Sequence, residues 1–314
     1  MLEEIIARRR EKKAADAQKQ SNRRGFLRGM GTIAGAAAAT AWGGAAKAAN
    51  LDIAILQFAL NLEYLEAEFY SRAAYGYGLG PANTGNSAST VVGGRQVNFA
   101  SPLVQAYAQE IAAEERKHVL FLRAALGASA VNEPAIDLQS SFVALGQLTG
   151  LSSDFDPFAN DMSFLLGAYI FEDVGVTAYH GAAPLITDKN YLDKAAGILA
   201  VEAYHAGLIR TVLFQAGQME ATAAISSLRA QLDGTFGTQN LDDQGVGDTQ
   251  YPHIVLASDP QNGTLLGGFP NPPPGNNAIA YDRTTRQVLN IVYGGVNATK
   301  GLFFPNGMTG TITS

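Results

Sequence analysis

Cysteine is absent from the 314 residues, which excludes disulfides, zinc–thiolate sites and thiol nucleophiles. Histidine is scarce, with four in all. Basic charge is scarce beyond residue 48. The first 48 residues hold 10 of the 22 Lys and Arg but only 4 of the 28 Asp and Glu, so residues 49–314 carry 12 basic and 24 acidic residues, a net charge of −12. So acidic a stretch is a poor nucleic-acid binder, because phosphate contacts need Lys and Arg, and no nucleic-acid partner is expected; it has no basic patch for anionic lipid either. Proline is missing from two apolar runs, 103–126 and 191–215. What remains is 47% apolar and 16% charged, a globular composition long enough for one large core or two modest ones.

Residues 1–48 read as a leader outside the fold. A polar, basic run ends in Ser21-Asn-Arg-Arg-Gly-Phe-Leu-Arg28, an Ala/Gly-rich apolar stretch follows, and Ala46-Lys-Ala48 is a small-x-small cleavage site. This resembles a twin-arginine export signal. Its Gly and Ala content and its Ala-x-Ala end argue against the competing membrane anchor. The expectation is a protein exported, periplasmic or extracellular, by the twin-arginine translocation machinery, with its cofactor loaded before export.

Both proline-free runs have helical apolar spacing. One contains Glu115-Arg-Lys-His118 and the other Glu202-Ala-Tyr-His205. Positions three apart share a helix face, so each pair points a carboxylate and an imidazole at one spot. Two such pairs, each joined by a Glu from another helix, make the di-iron or di-manganese site of four-helix carboxylate proteins. Those Glu are present. Glu63 lies on the apolar stripe of a helix expected over 51–75 with Asn50 as N-cap, and Glu172 stands within a very apolar helix expected over 161–180. The halves echo each other, because Glu63 is followed seven residues later by Tyr70 and Glu172 by Tyr179. The metal set is therefore Glu63, Glu115, His118, Glu172, Glu202 and His205. Four carboxylates suit two divalent cations, and mixed oxygen and nitrogen donors suit iron or manganese.

Neighbouring residues are read more plainly. Glu66, one turn from Glu63, is not set aside. Glu68 falls off the stripe as a solvated surface charge, and Glu114 pairs with Lys117 on the surface. Tyr70, Tyr179 and Tyr204 are core aromatics, one of which could hydrogen-bond a ligand carboxylate. His180 and His253 are ordinary.

Around the helices, 76–100 is a long loop with a short hairpin near Val91, Val92 and Val97. Ser101 and Pro102 open the second helix. Residues 128–160 cross the bundle between helices two and three, with a short helix inside 134–148. The fourth helix is expected over 188–217 and a fifth over 221–232. Residues 234–314 are rich in Gly, Pro, Asn and Thr, with a strand or one helix at 286–294, and pack on the bundle. The domains are a 1–48 signal peptide, a 49–233 bundle and a 234–314 C-terminal region.

The ligand set resembles the ferritin-like di-metal carboxylate family. The run from Leu60 to Tyr70 (Leu-Asn-Leu-Glu-Tyr-Leu-Glu-Ala-Glu-Phe-Tyr) is similar to the opening helix of its desiccation-related group. Arg283-Thr-Thr, Gln287-Val-Leu-Asn-Ile-Val-Tyr293 and Gly301-Leu-Phe-Phe-Pro-Asn-Gly307 are similar to that group's C-terminal region. The resemblance covers the chain from about residue 50. It implies an all-α, ferritin-like four-helix bundle with a long crossover between helices 2 and 3 and a loop-rich C-terminal extension. It further implies that Glu115 and Glu202 bridge the metals, while Glu63, Glu172, His118 and His205 bind one each.

Three functions compete. The first is oxidative or desiccation stress defence by a di-iron or di-manganese enzyme acting on peroxide, dioxygen or ferrous iron. The second is a non-enzymatic protective or structural protein that keeps the fold. An iron-storage cage comes last, since the 76–100 loop and the 81-residue tail would have to fit a close-packed shell. Homo-oligomerisation stays open.

Overall fold

The structure, a computed structural model, describes residues 38–85, 90–235, 243–247 and 280–314. The chain separates into two compact units, Met1–Lys47 and Ala48–Ser314, and the bundle lies in the second. The export motif and His253 lie outside the described residues.

Four long helices carry the site: α1 (Ala38–Tyr75), then, after the single turn α2 (Pro81–Thr84), α3 (Pro102–Leu126), and later α5 (Asp161–Ala182) and α6 (Lys189–Gln215). Their starts follow from short polar side chains. The Ser101 hydroxyl accepts from Val104 N–H ahead of Pro102, Asn160 accepts from Ser163 N–H, and Asp188 accepts from Asn190 and Tyr191 N–H. Each cap satisfies donors that a helix start leaves orphaned. Asn50 caps nothing, because α1 runs unbroken through it from Ala38. The Ala-rich stretch upstream has high helix propensity and continues the helix.

The crossover from α3 to α5 contains α4 (Ser140–Thr149) and a two-residue strand β2 (Ile136–Asp137). The strand pairs in parallel with β1 (Val91–Val92). The expected hairpin within 76–100 is thus replaced by pairing with the crossover, and Val97 N–H instead donates to Ala73 O at the end of α1. Aromatic rings anchor the crossover. Phe142 on α4 packs 5.6 Å from Phe69 on α1 and 5.6 Å from Phe171 on α5, centroid to centroid.

Beyond α6 come α7 (Met219–Asp233) and α8 (Thr285–Tyr293). The segment at 286–294 is therefore helix. Thr284 and Gln287 close it with a reciprocal capping box, a helix signal that a strand would not use. α8 packs on α5 and α7.

Charged groups buried between these elements are joined in ion pairs. Asp173 on α5 accepts from Arg210 on α6 (2.8 Å) and Arg229 on α7 (2.9 Å), and Asp243 accepts from Arg229 (2.7 Å) and Arg283 (2.6 Å). Near the C-terminus, the Asn61 amide clasps Thr309, donating to its O (2.8 Å) and accepting from its N–H (3.0 Å). That clasp sits two residues before Glu63. α6 has the length and apolar content of a membrane-crossing helix, but its Glu202, His205 and Arg210 are buried within the bundle.

Candidate metal centre

All six expected side chains converge. Each turns into the core from the buried stripe of its helix: Glu63 from α1, Glu115 and His118 from α3, Glu172 from α5, Glu202 and His205 from α6. One set of donor atoms, from Glu63, Glu115, His118 and Glu202, lies within 4.8 Å of one another, and a second set comes from Glu115, Glu172 and His205. Glu115 belongs to both. Glu202, expected to bridge, belongs to the first set only.

The two histidines present the same atom. His118 Nδ1 lies 3.2 Å from Glu63 Oε2, 3.3 Å from Glu115 Oε2 and 3.5 Å from Glu202 Oε1. His205 Nδ1 lies 3.1 Å from Glu115 Oε1 and 3.5 Å from Glu172 Oε2. The pairing of Glu115 with His205 and of His118 with Glu202 shows that α3 and α6 run antiparallel through the site. α1 and α5 do the same, because the Tyr70 hydroxyl donates to Glu172 and the Tyr179 hydroxyl donates to Glu63. The repeat of Glu and Tyr seven residues apart is thus a crossed exchange about a pseudo-twofold axis. Both tyrosines are buried, as expected of core aromatics, and both hold a site carboxylate. Tyr204 departs from that expectation. It is 48% exposed, and its hydroxyl donates to Glu110 at 3.2 Å.

Burial and mutual charge set the protonation of the cluster. Burial pushes Glu63 up to about 7, against the pull of His118. Burial and the Glu115 charge push Glu202 well above the carboxylate range, and burial also raises Glu172 despite His205. Glu115 is the exception: burial works to raise it, but His118 and His205 outweigh that and hold it far below. Burial also opposes charge on the imidazoles. The surrounding carboxylates win, pushing His205 up to about 12 and His118 higher still.

Hydrogen bonding within the cluster stays incomplete. Glu115 Oε1, Glu172 Oε2, both Glu202 oxygens and His205 Nδ1 are buried with no hydrogen-bond partner among the described residues. Leaving such groups unsatisfied costs several kcal/mol each, on the order of the desolvation penalty. All five atoms belong to residues of the convergent donor sets. A pair of divalent cations bound by oxygen and imidazole nitrogen would satisfy them together, so the residues fit such a centre.

Three carboxylates differ from the sequence expectation or extend it. Glu68 is no surface charge. It is buried, pairs with Arg72 Nε at 2.7 Å and accepts from Leu79 N–H at 2.6 Å, fixing the start of the 76–100 loop. Glu114 turns from the expected Lys117 pairing to His205, accepting from Nε2 at 2.8 Å. That bond directs the Nδ1 lone pair inward. Only the antiparallel register of α3 and α6 brings the two together, so local spacing could not reveal it. Glu66 is buried beside Glu202, and its three-residue offset from Glu63 was the available signal. His180 stands outside both donor sets.

The chain matches the family described as "Ferritin-like domain" over residues 51–215. It is 29% identical over 285 residues to the desiccation-related protein PCC13-62 of Craterostigma plantagineum, covering 82% of this chain and 83% of that one. It is also 29% identical over 278 residues to the ferritin-like catalase Nec2 of Nesocodon mauritianus, covering 83% and 84%. No solved structure matches. The matched domain takes up more than half of the chain and contains all six convergent side chains, and the protein therefore belongs to the ferritin-like family.

Proposed function

We propose that this chain is an exported di-iron or di-manganese carboxylate protein that removes hydrogen peroxide. The observation that carries the reading is the convergence of buried carboxylates and imidazoles in two interlocked clusters, five of whose atoms make no hydrogen bond among the described residues. Glu63, Glu115, His118 and Glu202 would hold one ion, and Glu115, Glu172 and His205 the other. Bound there, two redox-active ions supply two-electron cycling, which converts two hydrogen peroxide molecules to dioxygen and two waters. The chain's own contribution is placement and exclusion. Tyr70 and Tyr179 fix the free oxygens of Glu172 and Glu63, and Glu114 fixes His205. A cavity of about 20 Å³ beside Tyr179 is lined by Ile55, Phe58, Leu62 and Ala178, about the space of one water. The catalase named among the relatives favours peroxide over ferrous iron as substrate.

The test is oxygen evolution from peroxide by protein loaded in turn with iron and with manganese. Dioxygen release at half the rate of peroxide loss supports catalase chemistry. Peroxide loss without dioxygen moves the assignment to a peroxidase. No peroxide loss with either metal overturns the redox reading and leaves the protective, non-enzymatic one. Export is tested separately by replacing Arg23 and Arg24 with Lys, which should retain the protein in the cytoplasm.

A further inference from the structure

Accessory elements cover the bundle unevenly. Among the described residues, α4 and α8 pack on α7, and α7 and α8 pack on α5, while α3 and α6 keep their outward faces in solvent. The α6 face is unlike the rest of this acidic chain. From Ala195 to Gln215 its only Asp, Glu, Lys or Arg residues are Glu202 and Arg210, and both are buried. What remains exposed is mostly small or aromatic, with Gly197, Ala200 and Ala203 around Tyr204 and Phe214 near the end. A Cβ at Gly197 would meet nothing, so that position is a gap open to solvent, two turns from the exposed Tyr204 ring. On α3 alongside, the exposed charges are Glu110 and Lys117. Glu110 accepts from the Tyr204 hydroxyl. Because the two helices run antiparallel, Lys117 stands level with the turn of α6 that holds Gly197 and Ala200.

We propose that this α3/α6 face joins two copies of the chain in an antiparallel twofold dimer, with each Tyr204 ring seated over its partner's Gly197. A twofold axis in the plane of the face, at the level of Ala200 and Val201, lays α6 on α6 and α3 on α3. Tyr204 and Gly197 stand equally far from that axis, so each ring meets the other copy's gap, and each Glu110 turns towards its partner's Lys117. One surface thus carries knob and gap, and both signs of charge, the self-complementarity that a twofold pair requires. Residues 49–314 carry a net charge of −12, and the uncharged strip lets a second acidic copy approach without repulsion. The area suffices. Helices of 25 and 27 residues lying about 9 Å apart present roughly 700 Å² per copy, close to the 800 Å² or so per partner of a stable interface. A bilayer suits the same face less well, because it would strip water from Glu110 and Lys117 without pairing them.

The test weighs the full chain in solution by light scattering and sedimentation, where twice the mass of one chain is expected. Gly197→Glu puts a charge in the gap. The new side chain meets nothing within its own chain and replaces glycine in a helix, so helicity should hold or rise, while the dimer Kd rises at least about tenfold. Lys117→Glu sets like charges opposite each other and should weaken the dimer comparably. Adding Glu110→Lys to it reverses both signs and should restore the dimer. The chain has no cysteine, so Ala200→Cys, close to the axis, supplies a unique thiol that a short bismaleimide should join to its copy. Lys300→Cys, exposed on the C-terminal region, should stay unjoined. A wild-type chain that stays monomeric would overturn the proposal, and if it also floats with phosphatidylcholine vesicles the face belongs to a bilayer. A dimer that survives Gly197→Glu with unchanged Kd has its interface elsewhere and would overturn this face.

Discussion

At the residue scale, Glu114 and His205 give the sharpest prediction. Glu114 is 31% exposed on its side chain, and its bond to His205 Nε2 fixes an imidazole that is otherwise wholly buried. Glu114→Ala should lower metal affinity by about 10–100-fold with helicity unchanged, measured by chelator competition and circular dichroism. Affinity equal to wild type would mean that packing alone orients the ring. Glu63 sets a pH dependence. Burial raises it from 4.5 to about 7, so the folded, metal-free chain keeps a proton that the unfolded chain has lost. The stability this contributes is complete below about pH 4.5 and is lost as the pH rises through about 7. Metal binding instead needs the ionised carboxylate. The gain in Tm on loading metal should therefore grow from about pH 5 to about pH 8, and a gain that shrinks over that range would contradict the assignment. The six convergent residues were legible from spacing, because Glu-x-x-His on a helix is a local pattern. Glu114 was not, since its partner comes from another helix, and Glu68 only in part, since Arg72 stands one turn away but Leu79 N–H comes from a loop backbone.

At the element scale, α3, α5 and α6 stand close to where their caps and periodicity put them. The interior side chains of the centre are not what forms these helices. Glu115→Ala combined with Glu202→Ala should abolish metal binding and leave helicity near wild type, because caps, apolar stripes and the Phe cluster remain. A double variant that still holds two ions would refute the ligand assignment. Close approach between elements is a stricter constraint. A Cβ at Gly181 on α5 would sit 2.0 Å from the backbone O of Arg283, where the C-terminal region reaches the bundle through Arg283 N–H to Thr177 O at 3.0 Å. Gly181→Ala should destabilise by about 1–3 kcal/mol, seen as a lower denaturation midpoint with metal stoichiometry retained. The elements that sequence periodicity missed were short or non-local. β1 and β2 have two residues each and find each other across 45 residues of chain. The start of α1 was placed late, because Asn50 reads locally as a cap while the Ala-rich stretch carries the helix through it.

At the scale of the whole molecule, two kinds of buried charge coexist and are treated oppositely. The Asp173, Arg210, Arg229, Asp233, Asp243 and Arg283 group pairs three acids with three arginines. It ties α5, α6, α7 and the C-terminal region together with no cation needed. Removing one partner, as in Arg283→Met, leaves buried acids uncompensated and should cost about 3–5 kcal/mol, with loss of stability in both metal-free and loaded protein. The centre at Glu115 has the reverse arithmetic: more acids than bases, and five buried atoms that make no hydrogen bond among the described residues. A pair of divalent cations would complete it. The most direct measurement is elemental mass spectrometry of the protein purified from its native cells. About two iron or manganese ions per chain, as two interlocked carboxylate–histidine sets require, is the predicted result. An intact, helical protein carrying well under one such ion per chain would contradict the account.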